Sequence, residues 1–202
     1  MSVSRADQSD PLSLFDCRGQ RKYLTGDEGR RFLAEAAKAD PLTRALCRVL
    51  ATSGCRISEA LELSPSRLDR ERGHIVFRTL KRRRLVFRAV PIPPAMMAEL
   101  VDLAHRLGPD ERIWPWCRQT GWRRIKRVMT TAGITGGQAM PKGLRHRFGV
   151  RAAEHDVPTA LTQRWLGHAS PRSTVIYQQA VGDEERSFAA RLWDERTFDK
   201  PS

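Results

Sequence analysis

The stretch HIVFRTLKRRRLVFRAVPIPP, residues 74–94, carries the one convincing β signal in the chain. Ile75-Val76-Phe77 and Leu85-Val86-Phe87 are β-branched and aromatic clusters suited to a half-buried pleated surface. Lys81-Arg82-Arg83-Arg84 separates them, and the pattern predicts two short antiparallel strands joined by a strongly cationic turn. Pro93-Pro94 then opens a helix running to about Leu107, because proline is tolerated in a first helical turn. The rest of the chain reads as helix. The predicted class is therefore α+β, mostly helical, with a small antiparallel sheet of two or three strands near residues 73–90.

Towards the N-terminus, Thr25 followed by Glu28 is a capping box, and Phe32, Leu33 and Ala36 share one face of a helix over 25–38. Leu42, Ala45, Leu46, Val49 and Leu50 do the same over 41–53. Gly54 interrupts, a short helix follows over 57–63, and Ser64-Pro65-Ser66 ends it. Beyond the sheet, 122–131 reads as a helix bearing Arg123, Arg124, Lys126 and Arg127, and 133–138 as a loop. Helical pieces are then expected at 142–155, 158–166, 171–180 and 183–195, punctuated by Pro158, Gly167 and Gly182. Residues 1–22 mix Ser, Asp, Gly and Arg without periodicity and are expected to form a flexible arm ahead of one domain, 23–202.

The chain has 202 residues, 40% hydrophobic and 29% charged, which suits one domain of about 100–200 residues and excludes a large multi-domain enzyme. No window approaches the roughly 18 apolar residues of a membrane span, and Asp7, Asp10 and Asp16 replace the basic head of a leader, so a cytoplasmic, unprocessed protein is expected. Cys17, Cys47, Cys55 and Cys117 lie far apart without C-x-x-C or paired histidine spacing. Reduced thiols in a packed interior are expected, with neither disulfide framework nor metal site. The net charge is +13, and its distribution says more: residues 78–151 hold 17 Lys/Arg against four acids, while the remainder holds 19 of each. A localised excess between neutral flanks favours a surface facing phosphates, with nucleic acid ahead of an acidic membrane.

Four segments could carry chemistry, and each has a bland reading. Gly54-Cys55-Arg56-Ile57-Ser58-Glu59 sets an arginine at a helix entrance with an acid one turn on, otherwise an ordinary ion pair. Lys142-Gly143-Leu144-Arg145-His146 puts two cations on one helical face, to grip a phosphate or simply to be solvated; His146 by default makes a local hydrogen bond. Leu166-Gly167-His168-Ala169-Ser170 is a tight bend displaying a histidine, and Tyr177 follows nine residues later, where a lone tyrosine is usually packing. Trp165 and Trp193 read as packing rather than base-stacking platforms.

Taken in this order, the segments resemble the tyrosine recombinase (phage integrase) family, whose motifs are G-x-R-x-x-E, a lysine in a β-turn, H-x-x-R, L-G-H and a C-terminal tyrosine. The counterparts here are Arg56 with Glu59, Lys81 in Thr79-Leu80-Lys81-Arg82, Arg145, His168 and Tyr177. Lys142 stands where the family usually has the histidine of H-x-x-R, which changes the group that handles the proton. Only about two dozen residues precede the matching part, where family members usually have a helical DNA-clamping domain; the chain resembles a catalytic domain alone.

The resemblance implies a transesterification of double-stranded DNA through a 3′-phosphotyrosyl link to Tyr177, without metal, nucleotide or other cofactor. Arg56 and Arg145 would neutralise the phosphate, since guanidinium stays cationic and offers paired donors. Lys81 would protonate the departing 5′ oxygen, and His168 would donate to the phosphate. Lys142 would do likewise or assist deprotonation of Tyr177, with Glu59 orienting the Arg56 side. Arg82, Arg83, Arg84, Arg123, Arg124, Lys126 and Arg127 would contact the DNA backbone. A homo-oligomer on DNA, tetrameric at synapsis, is implied, with a tail after Tyr177 (Phe188, Ala189, Leu192) docking within the chain or on a neighbour and a possible helper DNA-binding protein. A type IB-like topoisomerase and a non-catalytic DNA-binding regulator remain alternatives.

Overall fold

A computed structural model of the chain describes residues 13–79 and 86–179. Lys81 to Arg84, the expected tail helix over 183–195 and Trp193 lie outside the described residues. The first helix, α1 (Gly26–Ala37), starts where the capping box predicts: the Thr25 hydroxyl accepts from the Glu28 N–H, and the Glu28 carboxylate accepts from the Thr25 N–H at 2.8 Å. The second, α2 (Pro41–Ser53), has Asp40 as its N-cap and Gly54 in the left-handed region as its C-cap. It buries Ala45, Leu46, Cys47, Val49 and Leu50 at the centre of the main core. After the single turn of α3 (Ile57–Ala60) and a 3-10 turn at Pro65–Arg67, the chain enters the sheet.

The sheet is three-stranded and antiparallel in the order β1 (Leu68–Asp69), β2 (His74–Arg78), β3 (Phe87–Pro91). Its second long strand differs from the expected position. The ladder pairs Phe77 with Arg88 and His74 with Pro91, so Phe87 begins β3 instead of ending it, and its ring faces solvent under the Arg67 guanidinium. The inward residues of β3 are Arg88 and Val90. A cluster-based reading places Leu85-Val86-Phe87 in the strand because arginine on a buried face contradicts alternation; here an ion pair makes that burial possible.

Helices α4 (Pro94–Ala104), α5 (Arg118–Thr131), α6 (Pro141–Glu154), α7 (Thr159–Leu166) and α8 (Arg172–Val175), with a 3-10 turn at Ile176–Gln179, complete the described fold. Arg44 and Arg48 of α2 both bond Glu99 of α4, and the Trp114 indole donates to the Leu42 carbonyl, closing the loop between α4 and α5 onto α2. Two apolar clusters result. The larger joins α1 to α5 and the sheet; the smaller holds Leu14, Tyr23, Val150, Leu166, Ile176 and Tyr177. Residues 13–22, the end of the expected arm, are packed: Phe15 bridges Arg21, Leu14 is buried, and Arg21 pairs with Glu28. Apolar Leu14, Phe15 and Tyr23, spaced too irregularly to register as an element, supply that packing. Cys47 and Cys55 are buried free thiols, whereas Cys17 and Cys117 are exposed, contrary to the expected interior placement.

Candidate active site

Helix α6 crosses α2 and carries Arg145 and His146 on its buried side and Lys142 on its exposed side. Arg145 Nη1 donates to the Gly54 carbonyl (2.8 Å) and Nη2 to the Leu166 carbonyl (2.7 Å). These two carbonyls sit at the C-terminal ends of α2 and α7, where helices leave acceptors without intrahelical partners. One guanidinium thereby joins the Arg56 segment to the His168 bend. Burial, then the charge of Arg56, pushes its pKa down to about 10, still cationic at neutral pH.

Arg56 stands at the entrance of α3 with its side chain a quarter exposed. Its Nη1 donates to Glu59 Oε1 and its backbone N–H to Oε2, both at 2.8 Å. Glu59 is buried, and Arg88 completes its shell: Nη1 reaches Oε1 at 3.2 Å and Nη2 reaches Oε2 at 2.6 Å. Arg88 also donates to Thr79 Oγ1 and to the Trp165 carbonyl. Burial alone would raise the Glu59 pKa, but the hydrogen bonds and charge of Arg88, with those of Arg56, outweigh it and hold the carboxyl below its ordinary value. Arg88 was missed by the motif reading. The available signal was an arginine two residues before Val90, in register with the apolar face of a strand.

Helix α7 ends at Gly167, whose left-handed φ of +65° turns the chain so that His168 leaves the helix axis. Its Nδ1 lies 2.8 Å from Thr174 Oγ1, and its ring stacks on Tyr177 with centroids 6.1 Å apart. Tyr177 itself is 2% exposed, in the 3-10 turn after α8. Its ring fills a slot over α6 that exists because residue 149 is glycine: a Cβ there would lie 2.5 Å from Tyr177 Cδ2 and Cζ. The hydroxyl is 3.2 Å from His146 Nδ1. Burial raises the phenol pKa, and the charges of Arg145 and Arg56 pull it the other way. Burial, followed by neighbouring cations, pushes both His146 and His168 down to about 3, leaving both rings neutral at pH 7.

The structure thus brings together Arg56, Glu59, Arg145, His168 and Tyr177, and adds Arg88 and His146. Lys142 is one turn before His146 and contributes positive charge to it. On α5, Arg123 and Arg127 are exposed, while Arg124 bonds Asp40 and Thr43 over the Trp116 ring, and Lys126 donates to the Ala139 carbonyl. Trp165 packs edge-on against Phe148. Among the described residues, no cluster of three or more His, Cys, Asp or Glu could hold a metal ion, and no helix is long and apolar enough to cross a membrane.

Residues 22–183 match the model of the phage integrase family. The chain belongs to that family. It is 34% identical over 175 residues to tyrosine recombinase XerD of Mycobacterium tuberculosis, covering 77% of this chain and 56% of XerD. Against tyrosine recombinase XerA of Pyrococcus furiosus it is 28% identical over 173 residues, covering 79% of this chain and 58% of XerA. The chain therefore spans a little over half the length of these two relatives. Type 1 fimbriae regulatory protein FimE of Escherichia coli K12 is 31% identical over 169 residues, covering 78% of this chain and 85% of FimE. Among solved structures, the catalytic domain of bacteriophage HP1 integrase superimposes with a TM-score of 0.64 at 22% identity, covering 83% of this chain and 93% of that one. The XerH site-specific recombinase bound to its difH substrate gives 0.65 at 21% identity, covering 89% of this chain and 60% of that one. The expected fold, a mostly helical tyrosine recombinase catalytic domain with a small antiparallel sheet, is the one observed.

Proposed function

We propose that the chain is a site-specific DNA recombinase that cuts and rejoins double-stranded DNA through Tyr177. The observation that supports this reading is that Arg145 ties the Arg56 segment to the His168 bend, whose ring stacks on Tyr177, while the charges of Arg145 and Arg56 act to lower the phenol pKa against its burial. In the reaction Tyr177 Oη forms a bond to phosphorus as the bond from phosphorus to the 5′ oxygen breaks. The phenol gives up its proton and the 5′ oxygen takes one. The 5′ hydroxyl of a partner strand later reverses the exchange. A phosphodiester replaces a phosphodiester throughout, so no nucleotide is needed to drive it.

The residues divide this work by charge and reach. Arg56, open to solvent on one side, and Arg145, with two of its N–H groups already on carbonyls, neutralise the non-bridging oxygens. In the tautomer whose Nδ1 accepts from the Thr174 hydroxyl 2.8 Å away, His168 carries its hydrogen on Nε2 and offers it to the phosphate as a neutral donor. Lys81 supplies the proton to the leaving oxygen, and Glu59 with Arg88 fixes the direction of Arg56. Lys142 adds positive charge at the cleft. Arg82, Arg83, Arg84, Arg123 and Arg127 meet the DNA backbone, and Lys126 and Arg124 hold α5 in place to present it. The active assembly is an oligomer on paired DNA sites.

Nicked duplexes enriched by binding from a randomised pool test this reading. The native chain should become covalently attached to a 3′ DNA end, Tyr177→Phe should abolish attachment, and excess chelator should leave the rate unchanged. Binding without attachment would point to a non-catalytic DNA-binding regulator. Relaxation of plasmids lacking any enriched site would point to a topoisomerase.

A further inference from the structure

His146 is the motif residue that the mechanism above leaves without work. Its ring is 7% exposed, its Nδ1 is 3.2 Å from Tyr177 Oη, and its Nε2 is buried without a protein hydrogen-bond partner. For packing alone an apolar side chain would serve better, since a buried unsatisfied ring nitrogen is destabilising. The groups facing the ring are Lys22 from the N-terminal segment, Lys142 and Arg145 from its own helix, and His168 and Tyr177 from the C-terminal segments. Burial and then the three cations push its pKa down to about 3. A neutral imidazole keeps a lone pair with which to accept a phenolic hydrogen, whereas an imidazolium has none.

The geometry points to His146 as a positioning residue for the nucleophile: its neutral ring accepts the Tyr177 O–H at Nδ1 and fixes where the phenol oxygen waits before attack. Three constraints then define the phenol: the Gly149 slot below the ring, the His168 stack on its face and the Nδ1 acceptor at its oxygen. The ring hydrogen of His146 sits on Nε2, and the phenolic proton stays on oxygen until a phosphate arrives. Lys142, for which the family resemblance implies either donation to the phosphate or help in deprotonating Tyr177, contributes positive charge that keeps that imidazole neutral. This inference rests on reading Tyr177 as the nucleophile, but its test observes the phenol directly.

Tyr23 and Tyr177 are the two tyrosines of the chain, so ¹³C labelling at Cζ yields two resonances that Tyr177→Phe assigns. In the full chain, His146→Ala should shift the Tyr177 resonance and lower its titration point while leaving Tyr23 in place. His146→Asn, whose amide oxygen can occupy the Nδ1 position, should restore the native signal, and His146→Gln should not. On the nicked duplexes, His146→Ala should slow covalent attachment about 10- to 100-fold, as expected for a misplaced reactant, with DNA affinity unchanged and His146→Asn recovering most of the rate. If the alanine variant does not fold, the Asn and Gln variants carry the comparison. An unmoved Tyr177 resonance, or native-rate attachment, in His146→Ala or His146→Gln overturns the inference. Should the native chain attach to no DNA, the nucleophile reading fails, and the resonances still decide whether His146 holds the phenol.

Discussion

A methyl group added at position 149 would lie against the ring of Tyr177 at 2.5 Å, and the His168 ring already stacks on that phenol. Gly149→Ala should therefore expel Tyr177 from its slot, costing about 1–3 kcal/mol of stability for the overpacking, and should abolish covalent attachment while sparing DNA affinity. Denaturant midpoints with the attachment assay check this; a variant that attaches DNA at the native rate contradicts the slot. Removing Arg88 tests a different dependence. Glu59 is fully buried and shared between Arg88 and Arg56, so Arg88→Met leaves a carboxylate facing a single cation that is a quarter exposed. A loss of about 3–5 kcal/mol is expected from such an uncompensated charge. The double substitution Arg88→Met with Glu59→Leu should recover part of it, and equal losses in single and double variants would show that the pair is not coupled. Arg56, Arg145, His168 and Tyr177 could be picked out in the sequence because their neighbours form short patterns. Such patterns assign no role to Arg88 or His146, because what each does depends on a partner 29 or 31 residues away.

At the scale of elements, boundaries were legible wherever a local chemical signal set them. The Thr25 cap, Pro41 at the start of α2 and glycines 54 and 167 in the left-handed region put those helix ends where the sequence indicates. Glu28 does more than close the box, since it also accepts from Gln138 and pairs with Arg21. Thr25→Ala should cost about 1 kcal/mol, as for other N-caps, and Glu28→Ala more, because the 13–22 segment and the loop before α6 lose their tie as well. Urea denaturation of the two variants measures the difference; equal losses would mean that the contacts to Arg21 and Gln138 add nothing. Where no local signal exists, the sequence misleads. The register of β3 is decided by a long-range ion pair, and the packing of 13–22 by contacts with α6 and the C-terminal turn.

Across the whole molecule, two neutral histidines beside the cations, His146 buried and His168 half-buried, couple stability to pH. The folded pKa values of His146 and His168 lie near 3, below the ordinary 6.5, so only the unfolded chain takes up protons between those values. Stability should be complete above about pH 6.5 and fall as pH drops towards 3, by up to about 1.4 kcal/mol per pH unit for His146 and less for the more exposed His168. Glu59, whose folded pKa lies below 4.5, adds its loss only at lower pH. Urea midpoints at pH 7, 6 and 5 should decline, with a shallower decline in His146→Asn, and a flat native profile would contradict the burial of neutral rings. The charge excess of residues 78–151 has a second whole-molecule consequence. Each DNA phosphate it neutralises should add about 0.9 to the salt dependence of binding on logarithmic axes, so a slope near zero would remove the case for a phosphate-facing surface.

The guanidinium of Arg145 is a rivet through three separate runs of chain, and its removal would loosen the frame as well as silence the chemistry. A variant at 145 is therefore a poor dead-enzyme control: inactivity in it would not distinguish lost charge from lost shape. Tyr177→Phe takes away one oxygen and leaves every rivet in place, which makes it the cleaner blank for experiments in cells.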